Sequence, residues 1–377
     1  MRKYIIKTSI PALIMLMTAC HSSDEFSEHV QETKVLIGAT IAGNNKTSKA
    51  DEYYKHDNFI KNRSRIRVVN TVNYSTPDFS DDGDYREYIY TDTDDTGANF
   101  FPYKKGATDP GDLIDESSGF DWDKIVPTSS AFVFEAACYP MKYEPFTKIA
   151  TDQSNQENFW SADLLLAHTR KPLSERYNLL RLKFWHVFSM VRVEIELPIA
   201  DEDTDSGFPD NTYNGEEITE TTIKEIRLNN MQVEYEIDYA ASIGSDGLRT
   251  VKGKGNKDGV IKMYRLPGTD KTEDGKLYCS FAAIVPTQII EKDKPLVELT
   301  IRTIVGVDSD KKQIIEDKEY IFKPNTAIEM TQAHITVLKL SNNEDTSNPV
   351  LISAQIIPWD NAYTEIDLTP TKTLINN

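Results

Sequence analysis

The sequence predicts an all-β protein, two tandem antiparallel β-sandwiches behind an N-terminal processing segment. Three observations predict it. Apolar residues recur at every second position through most of the chain, acidic and glycine-bearing turns separate those runs, and no amphipathic helix longer than three turns interrupts them. A turn or two of helix is expected only at 161–168. A compact domain uses about 100–150 residues, so a chain of 377 residues accommodates two. The organisation expected is a processing segment at 1–19, a polar tether at 20–31, a first sandwich at 32–172 and a second at 173–377. The seam falls at Arg170-Lys171-Pro172-Leu173-Ser174, polar and proline-containing, just before a long apolar run.

Each strand has a local reason. Val35, Ile37, Ala39 and Ile41 share one face of a first strand. Ile66 and Val68 belong to a second that ends near Asn73, and Tyr85–Thr91 is an aromatic-rich third. Ala131–Pro140 is apolar on both parities, the pattern of a strand buried on both faces, and proline closes it. Leu180, Leu182 and Phe184 alternate, and Val191, Val193, Ile195 and Leu197 then alternate on the opposite parity. A parity switch requires an irregular insertion between Trp185 and Met190. Further alternating runs are Met231–Tyr239, Leu277–Val285, Val297–Thr303, Ile335–Lys339 and Ile352–Ile356, the last followed by Pro358-Trp359.

Composition excludes several classes of function. Asp and Glu outnumber Lys and Arg by 60 to 42, a formal net charge of −18. Nucleic acid requires a cationic surface and is not an expected partner. Three cysteines cannot build a disulfide scaffold or a four-cysteine zinc site. The six histidines (His21, His29, His56, His168, His186 and His334) show no metal-ligand spacing on one element, and no phosphate loop, dinucleotide fingerprint or nucleophile elbow occurs. Neither cofactor nor metal is expected. Asp201–Gly207 and Asp92–Gly97 alternate carboxylates in the manner of a calcium loop. Both depart from it: Ser206 stands where the tight turn needs glycine, and Thr212 and Tyr103 stand where the bidentate Glu belongs. They are read as solvated acidic loops. Nothing singles out two of the sixty carboxylates as a glycosidase pair. His186, Cys138 and Cys279 lie in apolar runs and are read as core residues.

The first residues carry an address. Arg2, Lys3 and Lys7 form a basic region and Ile10–Met17 a short apolar one, far below the ~20 residues that span a bilayer. Leu16-Met17-Thr18-Ala19-Cys20 resembles the lipobox of bacterial lipoproteins, which implies a diacylglyceryl group on Cys20. Ser22, Ser23, Asp24 and Glu25, which follow His21, resemble the surface-export signal of Bacteroidetes-type lipoproteins. Each buried CH₂ of an acyl chain contributes about 0.8 kcal/mol, so a multiply acylated Cys20 would hold the chain to the outer membrane.

Four stretches then stand in order. Phe120-Asp121-Trp122 precedes Ala131-Phe132-Val133-Phe134-Glu135-Ala136-Ala137-Cys138-Tyr139-Pro140. Next come Asp163-Leu164-Leu165-Leu166-Ala167, then Leu180–Val191 with the core Leu180-Arg181-Leu182-Lys183-Phe184-Trp185-His186, and finally Ala354–Trp359. Together, across roughly residues 32–370, they resemble the fimbrillin family, the lipoprotein precursors of Bacteroidetes type V fimbriae. The resemblance implies transthyretin-like sandwiches, assembly with other fimbrial subunits as a homo- or heteropolymer, and contact with a host or bacterial surface receptor. It also implies proteolytic removal of the first strand, here Lys34–Ala42, and its replacement by a strand from the next subunit. Polymerising relatives carry Thr-Arg-Ala after that strand, whereas this chain reads Thr47-Ser48-Lys49-Ala50; Lys49 and Arg63 are the candidate cleavage sites.

The expected function is therefore non-enzymatic: a fimbrial structural or accessory subunit acting in cell adhesion. The alternative is a glycan-binding surface lipoprotein of a polysaccharide-uptake system, with Tyr53, Tyr54, Tyr88, Tyr90, Phe100, Phe101, Trp122 and Trp160 as candidate sugar-stacking aromatics.

Overall fold

A computed structural model of the protein describes residues 33–42, 59–72, 76–81, 83–107, 112–139, 147–198 and, with short exceptions, 212–358. The processing segment, the tether, Cys20, Ser22–Glu25, Lys49 and Trp359 lie outside the described residues. The described residues from Lys34 onward belong to one compact unit. It is all-β: among the described residues strands predominate, with one short α-helix and brief 3₁₀ turns.

The first half supplies β1 (Ile37–Ile41), β2 (Arg65–Asn70), β3 (Arg86–Tyr90), β4 (Phe100–Pro102), β5 (Ala131–Tyr139), α1 (Gln156–Ser161), β6 (Leu165–Pro172) and β7 (Leu180–His186). Their pairing order β1-β4-β3-β2-β5-β6-β7 closes on itself, where the sequence suggests an open sandwich. The ring closes through two thin joints. β1 meets β4 at a single pair, Ile37↔Phe100, and β6 meets β7 at two, Leu165↔His186 and Leu166↔Trp185. A period of two reports which face a residue occupies, not which edge a strand pairs with. Alternation alone therefore cannot separate two facing sheets from the same sheets joined at their corners.

The interior of the ring is one apolar cluster. Ile37, Ile66, Tyr88, Trp122, Phe134 and Phe184 are among its fully covered side chains. Trp122 meets Phe132 and Phe134 edge to face, with centroids 5.2 and 6.0 Å apart. β5 is also covered outside the ring, where Ala137 of β5 and Leu166 of β6 join a second, larger cluster. This accounts for its apolar residues on both parities.

The second half begins at β8 (Ser189–Pro198). One sheet has the order β15 (Tyr264–Arg265), β17 (Lys276–Val285), β8, β22 (His334–Asn342), β23 (Pro349–Pro358), with β16 (Lys271–Glu273) also beside β17. Another runs β14 (Gly259–Lys262), β11 (Ile223–Met231), β19 (Val297–Val307), β20 (Gln313–Phe322). Val191, Val193, Ala283 and Val337 of the first share the larger cluster with Ile226, Leu228, Ile261 and Leu299 of the second. Two-stranded ladders complete the half: β9 (Thr212–Tyr213) with β10 (Glu216–Glu217), β12 (Glu234–Asp238) with β13 (Thr250–Lys254), and β18 (Gln288–Ile290) with β21 (Ile328–Met330).

The parity switch between β7 and β8 is a change of sheet. Val187 and Phe188, both fully buried, carry the chain from the ring to the second half. Residues 170–174, where the sequence places the seam, are the end of β6 and a 3₁₀ turn. Two other expectations change. The helical turn expected at 161–168 lies earlier, at α1, because the Asn155 side chain caps it by accepting from the Asn158 amide at 2.9 Å. From Leu165 the chain is β6, whose opening Leu165-Leu166-Ala167 is buried on both faces and so lacks the alternation of a half-exposed strand. The run Met231–Tyr239 divides into β11 and β12. Asn230 adopts φ 58°, and the Gln232 amide donates to Gln288 Oε1 at 2.7 Å instead of to a strand.

Candidate functional site

The feature with a function-like geometry is the slot occupied by β1. Val35, Ile37, Ala39 and Ile41 all face the ring interior, none more than 5% exposed. On one side β1 runs parallel to β7 in five consecutive pairs, from Ile37↔Leu180 to Ile41↔Phe184. The Leu180 amide donates to Leu36 O at 2.9 Å and the Ala42 amide to Phe184 O at 2.7 Å, so the ladder extends past both ends of the strand.

On the other side the backbone ladder stops after one pair. The chain ahead of β4 turns away, and the side chain of Asn99 takes over. Asn99 Oδ1 accepts from the Ala39 amide at 2.8 Å, and Asn99 Nδ2 donates to Ala39 O at 2.9 Å. One carboxamide thus does for Ala39 what a neighbouring strand residue does in an antiparallel pair. The Asn99 backbone amide also donates to Ile37 O at 3.0 Å. Gly38 lies against the same loop: a Cβ there would stand 2.8 Å from Gly97 O and 3.0 Å from Leu179 Cδ2. Gly97 adopts φ 86°, a conformation that favours glycine.

Asp94 braces this loop. Its Oδ1 accepts from the Thr96 hydroxyl at 2.6 Å and from the Thr96 and Ala98 amides at 2.9 Å each. This oxygen is therefore committed to its own turn. The Thr96 hydroxyl, above all, holds the Asp94 carboxyl below its ordinary value of 3.8. Asp78, Asp115 and Asp152 repeat the device with the residue two places on, Ser80, Ser117 and Ser154, and are lowered for the same first reason. A carboxyl depressed in the folded state contributes stability that is complete above the unfolded value and is lost as pH falls through the folded one. Urea stability is thus expected to decline on acidification below pH 3.8. Replacing all four aspartates by asparagine should flatten that decline, and an unchanged acid profile in that variant would contradict the assignment.

Of the two candidate cleavage residues, Arg63 is described. It ends an exposed turn before β2, in which Asn62 has φ 59° and the Arg63 amide donates to Ile60 O at 3.0 Å. Ser64, on the far side of that peptide bond, is fully buried. His186 lies in the core, its Nδ1 3.0 Å from Asp163 Oδ1. Cys138 and Cys279 are buried thiols outside any disulfide; burial, with Asp163 nearby, pushes the Cys138 thiol well up from its ordinary range. Tyr88, Phe100 and Trp122 are at most 1% exposed and present no face to a sugar. Trp160 is half-buried against the larger cluster, and Tyr53 and Tyr54 lie outside the described residues.

One signal near the C-terminus belongs with the slot. Val35-Leu36-Ile37-Gly38-Ala39-Thr40-Ile41 and Val350-Leu351-Ile352-Ser353-Ala354-Gln355-Ile356 differ only at Gly38/Ser353 and Thr40/Gln355. The second stretch lies within β23, the last strand of its sheet, paired with β22 alone. The two stretches stand at opposite ends of the chain and form no tandem repeat.

No protein-family profile matches the sequence, and no curated protein matches it. Solved structures do. Those similar to this chain are named as fimbrial proteins and candidate cell-adhesion proteins of Bacteroidetes. A candidate cell-adhesion protein from Bacteroides ovatus is 14% identical with a TM-score of 0.48, covering 86% of this chain and 97% of its own. A fimbrial protein from Bacteroides vulgatus is 12% identical with a TM-score of 0.36, covering 86% and 99%. The tip fimbrial protein Mfa3 from Porphyromonas gingivalis, with C-terminal truncation, is 10% identical with a TM-score of 0.34, covering 87% and 99%.

Proposed function

We propose that this chain is a non-enzymatic fimbrial or accessory adhesion subunit, exported to the outer surface on a lipid at Cys20, that assembles with its neighbours by exchange of β1. In this reading each half is a variant of the transthyretin-like sandwich, the first closed into a ring by β1 itself. The observation that carries the proposal is the match between Val35–Ile41, which fills the slot, and Val350–Ile356 of the edge strand β23. A strand with the same apolar spacing satisfies the same inward pockets, and the open edge of β7 supplies the backbone partners. The natural occupant after removal of β1 is therefore β23 of a second copy. Cleavage at Lys49 or Arg63 would release β1, because both follow it in the chain and precede β2.

The test uses the full chain with a specific protease sequence replacing residues 47–50. After cleavage, light scattering is expected to show oligomers larger than dimers. The same chain carrying Ile352→Asp and Ile356→Asp should stay monomeric, since a carboxylate cannot enter the apolar slot unpaired. Cleavage that releases β1 and leaves a monomer would remove strand exchange from the proposal.

A further inference from the structure

We propose that the β1 slot selects its occupant at two adjacent backbone positions: Asn99 grips the peptide groups at the Ala39 position, and Gly97 O with Leu179 favours glycine over any larger residue at the Gly38 position. This rests on the strand-exchange reading above, and the occupant considered is Val350–Ile356 of a second copy.

The Asn99 contact is made to main-chain atoms alone. It is therefore indifferent to the side chain at that place, with one exception: proline has no N–H to donate. The carboxamide also fixes register. Sliding the occupant by one residue would set the N–H and C=O groups on the wrong edge and carry the apolar residues out of the ring. A reversed amide would set Nδ2 against the Ala39 N–H and Oδ1 against its C=O, so a single orientation satisfies both groups.

The Gly38 position works by exclusion. Its limit is a backbone oxygen, Gly97 O, in a loop pinned by the three hydrogen bonds to Asp94 and by the Gly97 amide donating to Asp94 O at 3.0 Å. The incoming copy carries Ser353 at this position. Its Cβ would meet Gly97 O, so the loop must shift to admit it. The chain's own first strand thus fits better than its C-terminal likeness, and the difference is one Cβ and its hydroxyl. The slot favours its resident while β1 is attached and takes the weaker competitor only once β1 has been cut free.

The full chain, cleaved at residues 47–50 with β1 still seated, is challenged with synthetic peptides, and release of the β1 fragment is followed. The peptide of residues 348–358 is expected to displace β1. Its Ser353→Gly form should do so roughly tenfold more tightly, the effect of removing one overpacked contact, and its Ala354→Pro form should not displace at all. In a chain carrying Asn99→Ala, from which the cleaved β1 fragment has first been removed, direct binding of the first two peptides should weaken about thirtyfold relative to the equally emptied unsubstituted chain, since two hydrogen bonds of about 1 kcal/mol each are lost. Asn99→Asp serves as a second variant if the first does not fold. Equal displacement by the Ser353 and Ser353→Gly peptides, or unchanged affinity in both Asn99 variants, overturns the inference. If no peptide displaces β1, strand exchange itself fails. The clamp is then decided by amide exchange at Ala39 in the intact Asn99→Ala chain, where faster exchange supports it and unchanged protection overturns it.

Discussion

Replacing Arg249 by alanine is expected to destabilise the chain by about 3–5 kcal/mol, the cost of stranding a buried charge. The charge stranded is Glu135. It lies on the outer face of β5, its side chain 4% exposed, where the ring meets the second half. Arg249, just ahead of β13, pairs with Glu135 through Nη2. Arg249 Nη1 donates to Tyr239 O at 3.1 Å and Ala241 O at 3.3 Å. His168 of β6 completes the group, with Nδ1 2.7 Å from Glu135 Oε1. Glu135→Ala should cost a similar amount from the opposite side. The double variant Glu135→Ala with Arg249→Ala should lose much less than the two singles added together, because no unpaired charge remains. Urea denaturation of the four proteins measures the coupling. Additive losses, or single losses below about 1 kcal/mol, would show that the pair does not join the two halves energetically.

Trp122→Ala is expected to cost about 3–5 kcal/mol in the same assay. The indole is fully buried between Phe132 and Phe134, and its backbone oxygen accepts from Arg176 Nη2 at 2.5 Å. Truncation leaves a cavity in the middle of the ring, bounded by strands that cannot all move inward. The measurement also separates the two functions weighed from the sequence. A sugar-stacking tryptophan would lose binding at nearly constant stability, whereas this one should lose stability. A change below about 1 kcal/mol would place the side chain outside the core.

Much of the fold is legible in the sequence where burial follows local pattern. β5 announces itself by apolar residues on both parities, and the break at Val187-Phe188 by the change of parity between Phe184 and Val191. What escapes is whatever depends on a distant partner. β4 is three residues long, too short for a period to register. The unbroken apolar run Leu164-Leu165-Leu166-Ala167 leads into β6, and periodicity alone cannot assign it to helix or strand. Asn99 sits in a polar turn and looks like any loop asparagine; only the tertiary fold brings its amide to Ala39. Glu135 is the lone charge in an apolar strand, and spacing does not name Arg249 as its partner. Of the slot itself, the alternation of Val35, Ile37, Ala39 and Ile41 is legible, whereas the echo of that stretch at Val350–Ile356 acquires a meaning only beside the slot.

The pairing of β1 with β7 also orders events in time. Ile37 finds its partner at Leu180, after every other strand of the ring has been made. Contacts so far apart in the chain are slow to form, since a long loop must close before they are rewarded. A chain emerging amino end first therefore holds one edge of its opening strand without a partner until synthesis has passed β7. The last stave of the cask goes in after the others are standing, and throughout that interval a foreign stave of the right shape has the same access as the native one.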